Sequence, residues 1–103
     1  MNDFPPKPRP EIYRYRDWSV VLDWPTYENG RRALRLLDSE TGEQICVATV
    51  NVPQEFLEDD CAFIKNYSEN AGMLNWLIVN QLATPTGRAV RSGYVELPEV
   101  RWL

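Results

Sequence analysis

Apolar and polar residues alternate with a period of two near the start of the chain. Tyr13 and Tyr15 alternate with Arg14 and Arg16, which predicts a strand whose two arginines share a solvent face. Val20, Leu22 and Trp24 repeat the alternation, and Pro25 marks the end or edge of that second strand. Glu28-Asn29-Gly30-Arg31 predicts a tight hairpin turn, because Asn-Gly accepts the positive φ angles such a turn needs. Residues 32–37 continue as a strand with Leu34 and Leu36 inward, residues 38–43 read as a turn, and the β-branched run over 44–52 reads as a central strand. Pro53 ends that strand. Residues 53–60 form an acidic connection, with Phe56 and Leu57 expected to pin it to the core, and residues 61–65 form a short strand.

The period then changes. Met73, Leu74, Leu77, Ile78 and Leu82 recur at three-to-four spacing and predict a helix from about Glu69 to Leu82, with Trp76 and Val79 widening its apolar face. Asn66 and Glu69 have the spacing of a capping box, Ser68 is a rival N-cap, and Gly72 suggests close packing. Residues 84–87 should stop the helix, short strands follow over 88–91 and 93–97, Pro98 closes the last, and residues 101–103 read as a tail. The order predicts an α+β fold: an antiparallel sheet of about five to six strands with one helix packed on a face. Residues 1–11, with Pro5, Pro6, Pro8 and Pro10, read as a flexible arm, and residues 12–103 as one domain.

Composition narrows the chemistry. The chain has 103 residues, of which 44% are hydrophobic and 25% charged, as in an ordinary soluble domain. No apolar run approaches a membrane span, and the first residues lack the basic and apolar regions of a signal peptide, so a bacterial cytosolic protein is expected. There is no histidine, the usual general base, nucleophile activator and metal ligand. Cys46 and Cys61 lie in apolar runs and read as buried, reduced thiols. No Gly-rich phosphate loop, nucleophile elbow or CxxC is present. The expectation is therefore no catalytic residue, no metal, no cofactor and a monomer.

Charge is uneven. Residues 1–37 carry seven basic and five acidic side chains, residues 38–69 one basic and eight acidic, and residues 70–103 three basic and two acidic. The acidic middle is a candidate surface for a basic protein partner, carried by Glu58, Asp59, Asp60 and Glu69, with Tyr67 as an aromatic anchor. Three consecutive carboxylates point in different directions, which does not suit a calcium loop. The alternative is a basic face made by Arg14, Arg16, Arg31, Arg32 and Arg35 on a nucleic-acid-binding accessory protein. The net charge of −4 argues against it.

One set of motifs points further. Asn29-Gly30-Arg31 with Ala33-Leu34, Val50-Asn51-Val52-Pro53, Ile64-Lys65-Asn66-Tyr67-Ser68-Glu69-Asn70 with Gly72-Met73-Leu74, Thr86-Gly87 and Ser92-Gly93 occur in that order. The pattern, over about residues 18–98, resembles a family of small proteins of bacterial phages, plasmids and integrative elements whose function is unknown. Its most specific element is the core Asn66-Tyr67-Ser68-Glu69-Asn70-Ala71-Gly72. Length and pattern also resemble a type II-A anti-CRISPR protein, an inhibitor of the RNA-guided nuclease. The resemblance implies a non-enzymatic mobile-element protein that binds and inhibits a host defence nuclease in the bacterial cytoplasm. It carries over no residue roles.

Overall fold

The computed structural model describes residues 11–103; the proline-rich arm read over 1–11 lies outside them except for Glu11. The fold is α+β, with one α-helix and eight antiparallel strands among the described residues, in two four-stranded sheets rather than a single sheet of five or six. The first sheet has the order β1 (Tyr13–Tyr15), β2 (Trp18–Asp23), β3 (Arg35–Asp38) and β4 (Gln44–Val47). The second has the order β5 (Thr49–Val50), β6 (Cys61–Ile64), β8 (Val95–Trp102) and β7 (Ala83–Ser92).

The segment expected to be one central strand is shared between the sheets. β4 pairs with β3, and β5 pairs with β6. At the join, the buried Ala48 donates its N–H to Leu34 O at 2.9 Å and accepts from Lys65 N at 2.8 Å, so it bonds toward both sheets. The side chain of Thr49 extends the link. Its Oγ1 accepts from Leu34 N at 3.2 Å and bonds the Tyr27 hydroxyl at 2.8 Å. The first of these bonds satisfies the N–H of the buried Leu34.

The main core lies where the first sheet, the helix α1 (Met73–Val79) and one face of the second sheet meet. It includes Val20, Leu36, Ala62, Ile64, Met73, Leu77 and Val100. A smaller cluster, Val52, Phe63, Val90 and Leu97 with Val50, Leu57, Tyr67 and Val95, contains alternate residues of β6 and β8, such as Phe63 and Leu97. Alternation along β6 explains the division: Ala62 and Ile64 join the first cluster, Phe63 the second.

Several boundaries differ from the sequence reading. The helix is seven residues long, preceded by a 3₁₀ turn (Ser68–Asn70). The expected capping box is replaced by Asn66, whose Oδ1 accepts the Leu74 N–H at 2.8 Å. Gly72 does not mark close packing, since a Cβ there would meet nothing within 4 Å. Glycine suits it for another reason: this N-cap residue has φ of 92°. Residues 84–87 do not end the helix but belong to β7, whose pairing with β8 is irregular between Pro85 and Ala89. Pro98 lies inside β8, and Arg101 and Trp102 are strand rather than tail.

The helix ends instead at a left-handed residue. Gln81 has φ of 58°, its N–H reaches Ile78 O at 3.0 Å, and Leu82 N reaches Leu77 O at 2.9 Å. These two bonds form a Schellman motif, in which glycine is the favoured left-handed residue. Gln81→Gly is therefore expected to raise stability by about 0.5–1 kcal/mol, measured by urea denaturation against wild type.

Candidate functional site

The acidic connection folds into a strap over the smaller cluster. Between Pro53 and Asp59 its backbone makes only local turns, with Glu55 N to Val52 O and Cys61 N to Glu58 O both at 3.0 Å. Three arginines from three other parts of the chain hold it. Arg31, in the hairpin turn, donates to Val52 O at 2.8 Å and Glu55 O at 2.5 Å. Arg88, on β7, donates to Phe56 O at 2.7 Å and also meets the carboxylates of Glu99 at 2.6 Å and Glu55 at 3.4 Å. Arg101, on β8, spans Glu58 at 3.2 Å and Asp60 at 3.4 Å. Glu99 is 8% exposed and also accepts from the Thr86 hydroxyl at 2.7 Å, so both of its oxygens are bonded. Arginine suits this task because its planar fork satisfies several oxygens at once.

The strap displays the side chain that the sequence reading placed in the core. Phe56 is 73% exposed, while Leu57 packs on the small cluster. The carbonyl of Phe56 is held by Arg88. An aromatic ring thus stands in solvent on backbone fixed by charged hydrogen bonds. Beside the strap lies a cleft of about 340 Å³ between it and the hairpin turn, lined in part by Asn29, Arg32, Leu57, Asp59 and Cys61.

The predicted acidic residues fall into two groups. Glu58, Asp59 and Asp60 sit at the far end of the strap. Glu58 and Asp60 share Arg101, whereas Asp59 has no ion-pair partner among the described residues. The Glu58 and Asp60 carboxylates and Cys61 Sγ lie within 4.8 Å of one another, and the cation beside the two carboxylates is the Arg101 guanidinium. Burial pushes the Cys61 thiol up to about 11, and burial also raises Cys46. Both are free thiols. Tyr67 and Glu69 form the second group, around Lys65. The Lys65 ammonium bonds Glu69 and lies 5.6 Å from the Tyr67 ring centroid. That hydrogen bond, with help from its own backbone N–H, holds the exposed Glu69 carboxyl down to about 2. A depressed carboxylate pKa stabilises the fold above its ordinary 4.5, and this contribution fades as pH falls toward 2. Tyr67 is half-buried, with part of its ring packed against the small cluster.

The five arginines expected to share a basic face are engaged separately. Arg14 bonds Arg16 O at 3.0 Å. Arg16 lies beyond β1 with φ of 53° and reaches Ala71 O at 3.2 Å, so the two do not share a strand face. Arg31 binds the strap, Arg32 lies 5.5 Å from the Trp24 ring centroid, and Arg35 pairs across strands with Asp23 at 2.5 Å. Arg88 and Arg101 were not singled out in the sequence, because nothing local marks an arginine that will bind a segment some thirty to forty residues away.

Among the described residues no helix is long and apolar enough to cross a membrane. The class defined here is a small α+β domain of two antiparallel sheets with an arginine-tied acidic strap. Residues 21–103 match the family described as Domain of unknown function (DUF4313), and the chain belongs to that family. Comparison with curated proteins gives no match, and neither does comparison with solved structures.

Proposed function

We propose that this chain is a non-enzymatic binding protein of a bacterial mobile element that inhibits a host RNA-guided defence nuclease in the cytoplasm, acting as a monomer. The observation that carries the binding reading is Phe56, an exposed aromatic ring on a strap fixed by three arginines and flanked by acidic side chains. Aromatic residues dominate binding hot spots, and a segment already fixed in place loses little conformational freedom on binding. Of the strap carboxylates, Asp59 has no ion-pair partner among the described residues, and its charge favours a basic partner surface. RNA-guided nucleases have one in the positively charged channel that holds guide and target. The sequence resemblance described above supports the choice of this partner class.

The deciding experiment is target-DNA cleavage by purified type II-A nucleases with guide RNA, titrated with this protein. Inhibition near stoichiometric ratios is expected. Undiminished cleavage at large molar excess across several orthologues would overturn the inhibitor reading.

The charge contribution has its own test. Reversing Asp59 alone leaves both carboxylates of Arg101 intact. Asp59→Lys is expected to slow association with the nuclease several-fold at low salt, with the difference shrinking as salt rises. Folding stability should change by no more than about 0.5 kcal/mol. Stopped-flow or surface-based association rates at two salt concentrations measure this. Equal rates at low salt would mean that Asp59 plays no part in steering.

A further inference from the structure

We propose that the strap over residues 53–59 is a latch that opens as one unit, uncovering the small hydrophobic cluster while the main core stays folded. The inference rests on how differently the two regions are held. The main core joins both sheets and the helix through buried side chains and strand pairing. Among the described residues the backbone–backbone hydrogen bonds of residues 53–59 reach only the adjoining Val52 and Cys61. Its distant tethers are the three arginines and the packing of Leu57.

Apart from Leu57 those tethers are polar, and several are at or near the surface. Arg88 and Arg101 side chains are 38% and 42% exposed, so their ion pairs are weakened by salt. Beneath the strap, Phe63 and Leu97 are fully buried, and the Arg88 guanidinium lies 5.6 Å from the Phe63 ring centroid. Arg88 therefore joins the strap to the cluster it covers: it holds the Phe56 carbonyl, the Glu55 and Glu99 carboxylates and the face of the ring. Segments with few apolar contacts and solvent-accessible hydrogen bonds open at lower free energy than the core strands. The closed strap is the state that presents Phe56, so a partner that binds Phe56 would favour closure. The latch itself does not depend on which partner that is.

Native-state hydrogen exchange on the full chain tests this, reading the Glu55 amide against strand amides of β3 and β4. The Glu55 amide should exchange through an opening that the β3 and β4 amides do not share, and this opening should become more frequent with added salt. Arg88→Met keeps much of the apolar stem while removing the tethers, and should speed strap exchange about ten- to a hundredfold with little change in β3 and β4. If that variant fails to fold, alkylation of Cys61 in wild type gives a second reading. Cys61 is 3% exposed and lies two residues beyond the strap, bonded to Glu58 O and lining the cleft beside it, so salt should accelerate its labelling while global stability holds. Exchange of Glu55 at the same rate as β3 and β4 under all salt conditions would overturn the latch. So would Cys61 labelling that only tracks global unfolding.

Discussion

Replacing Phe63 by alanine is expected to lower folding stability by about 3–5 kcal/mol. Phe63 is fully buried at the centre of a cluster with only three other buried side chains, Val52, Val90 and Leu97. Removing the ring takes away the largest buried member of that cluster and leaves a cavity that strand pairing on either side of β6 keeps from closing. It also removes the surface under the Arg88 guanidinium. A domain of this size has roughly 5–15 kcal/mol of stability in total, so the variant should be marginal at physiological temperature. Phe63→Leu, which retains much of the volume, should cost only about 1 kcal/mol. Urea denaturation of both variants measures the difference. A loss below about 1 kcal/mol for the alanine variant would mean that the small cluster contributes little to the fold.

Phe56→Ala is expected to do the opposite: leave the fold intact and weaken partner binding by about 2–4 kcal/mol, roughly a thirtyfold to thousandfold loss in affinity. Folding should be spared because the ring is 73% exposed and Arg88 binds the residue's carbonyl, which alanine retains. Binding should suffer because the ring is a large apolar group held clear of the surface on fixed backbone. The measurement is a titration of the nuclease with each protein, together with thermal unfolding to confirm equal stability. Unchanged affinity would remove Phe56 as the anchor and turn attention to Trp18 or Tyr94, two other exposed aromatic residues.

The fold class was readable because local signals agreed. A turn forms at Asn29-Gly30, but not the expected tight one with positive φ at both residues: Gly30 N–H bonds Tyr27 O at 2.8 Å, so Glu28 and Asn29 are the central residues, and only Gly30, at φ of 84°, is left-handed. The inward Leu34 and Leu36 are both fully buried. The end of the helix was misread for a physical reason. Gln81 occupies a left-handed position that usually signals itself as glycine, so the apolar periodicity seemed to continue to Leu82. Thr84 and Pro85 then looked like a helix stop, although β7 lies at a sheet edge, where proline is tolerated in a strand. Periodicity over 44–50 identified a strand but not its partners, since alternation says which face is buried and nothing about which neighbour supplies the hydrogen bonds. The same limit hid the candidate site. Phe56 among carboxylates has the composition of a core pin, and only the distant arginines that fix its backbone reveal that the ring faces water.

The join at Ala48 also determines where this protein accepts extra sequence. Because a single short segment borders both sheets, an added residue near Ala48 would shift β5 against β6 or β4 against β3 and turn buried side chains toward solvent. The turn at residues 39–43 and the hairpin tip at Gly93 and Tyr94 are exposed almost throughout and lie at the periphery of their sheets. Tags, labels or grafted loops belong at those two places, where added chain leaves the register of both sheets unchanged.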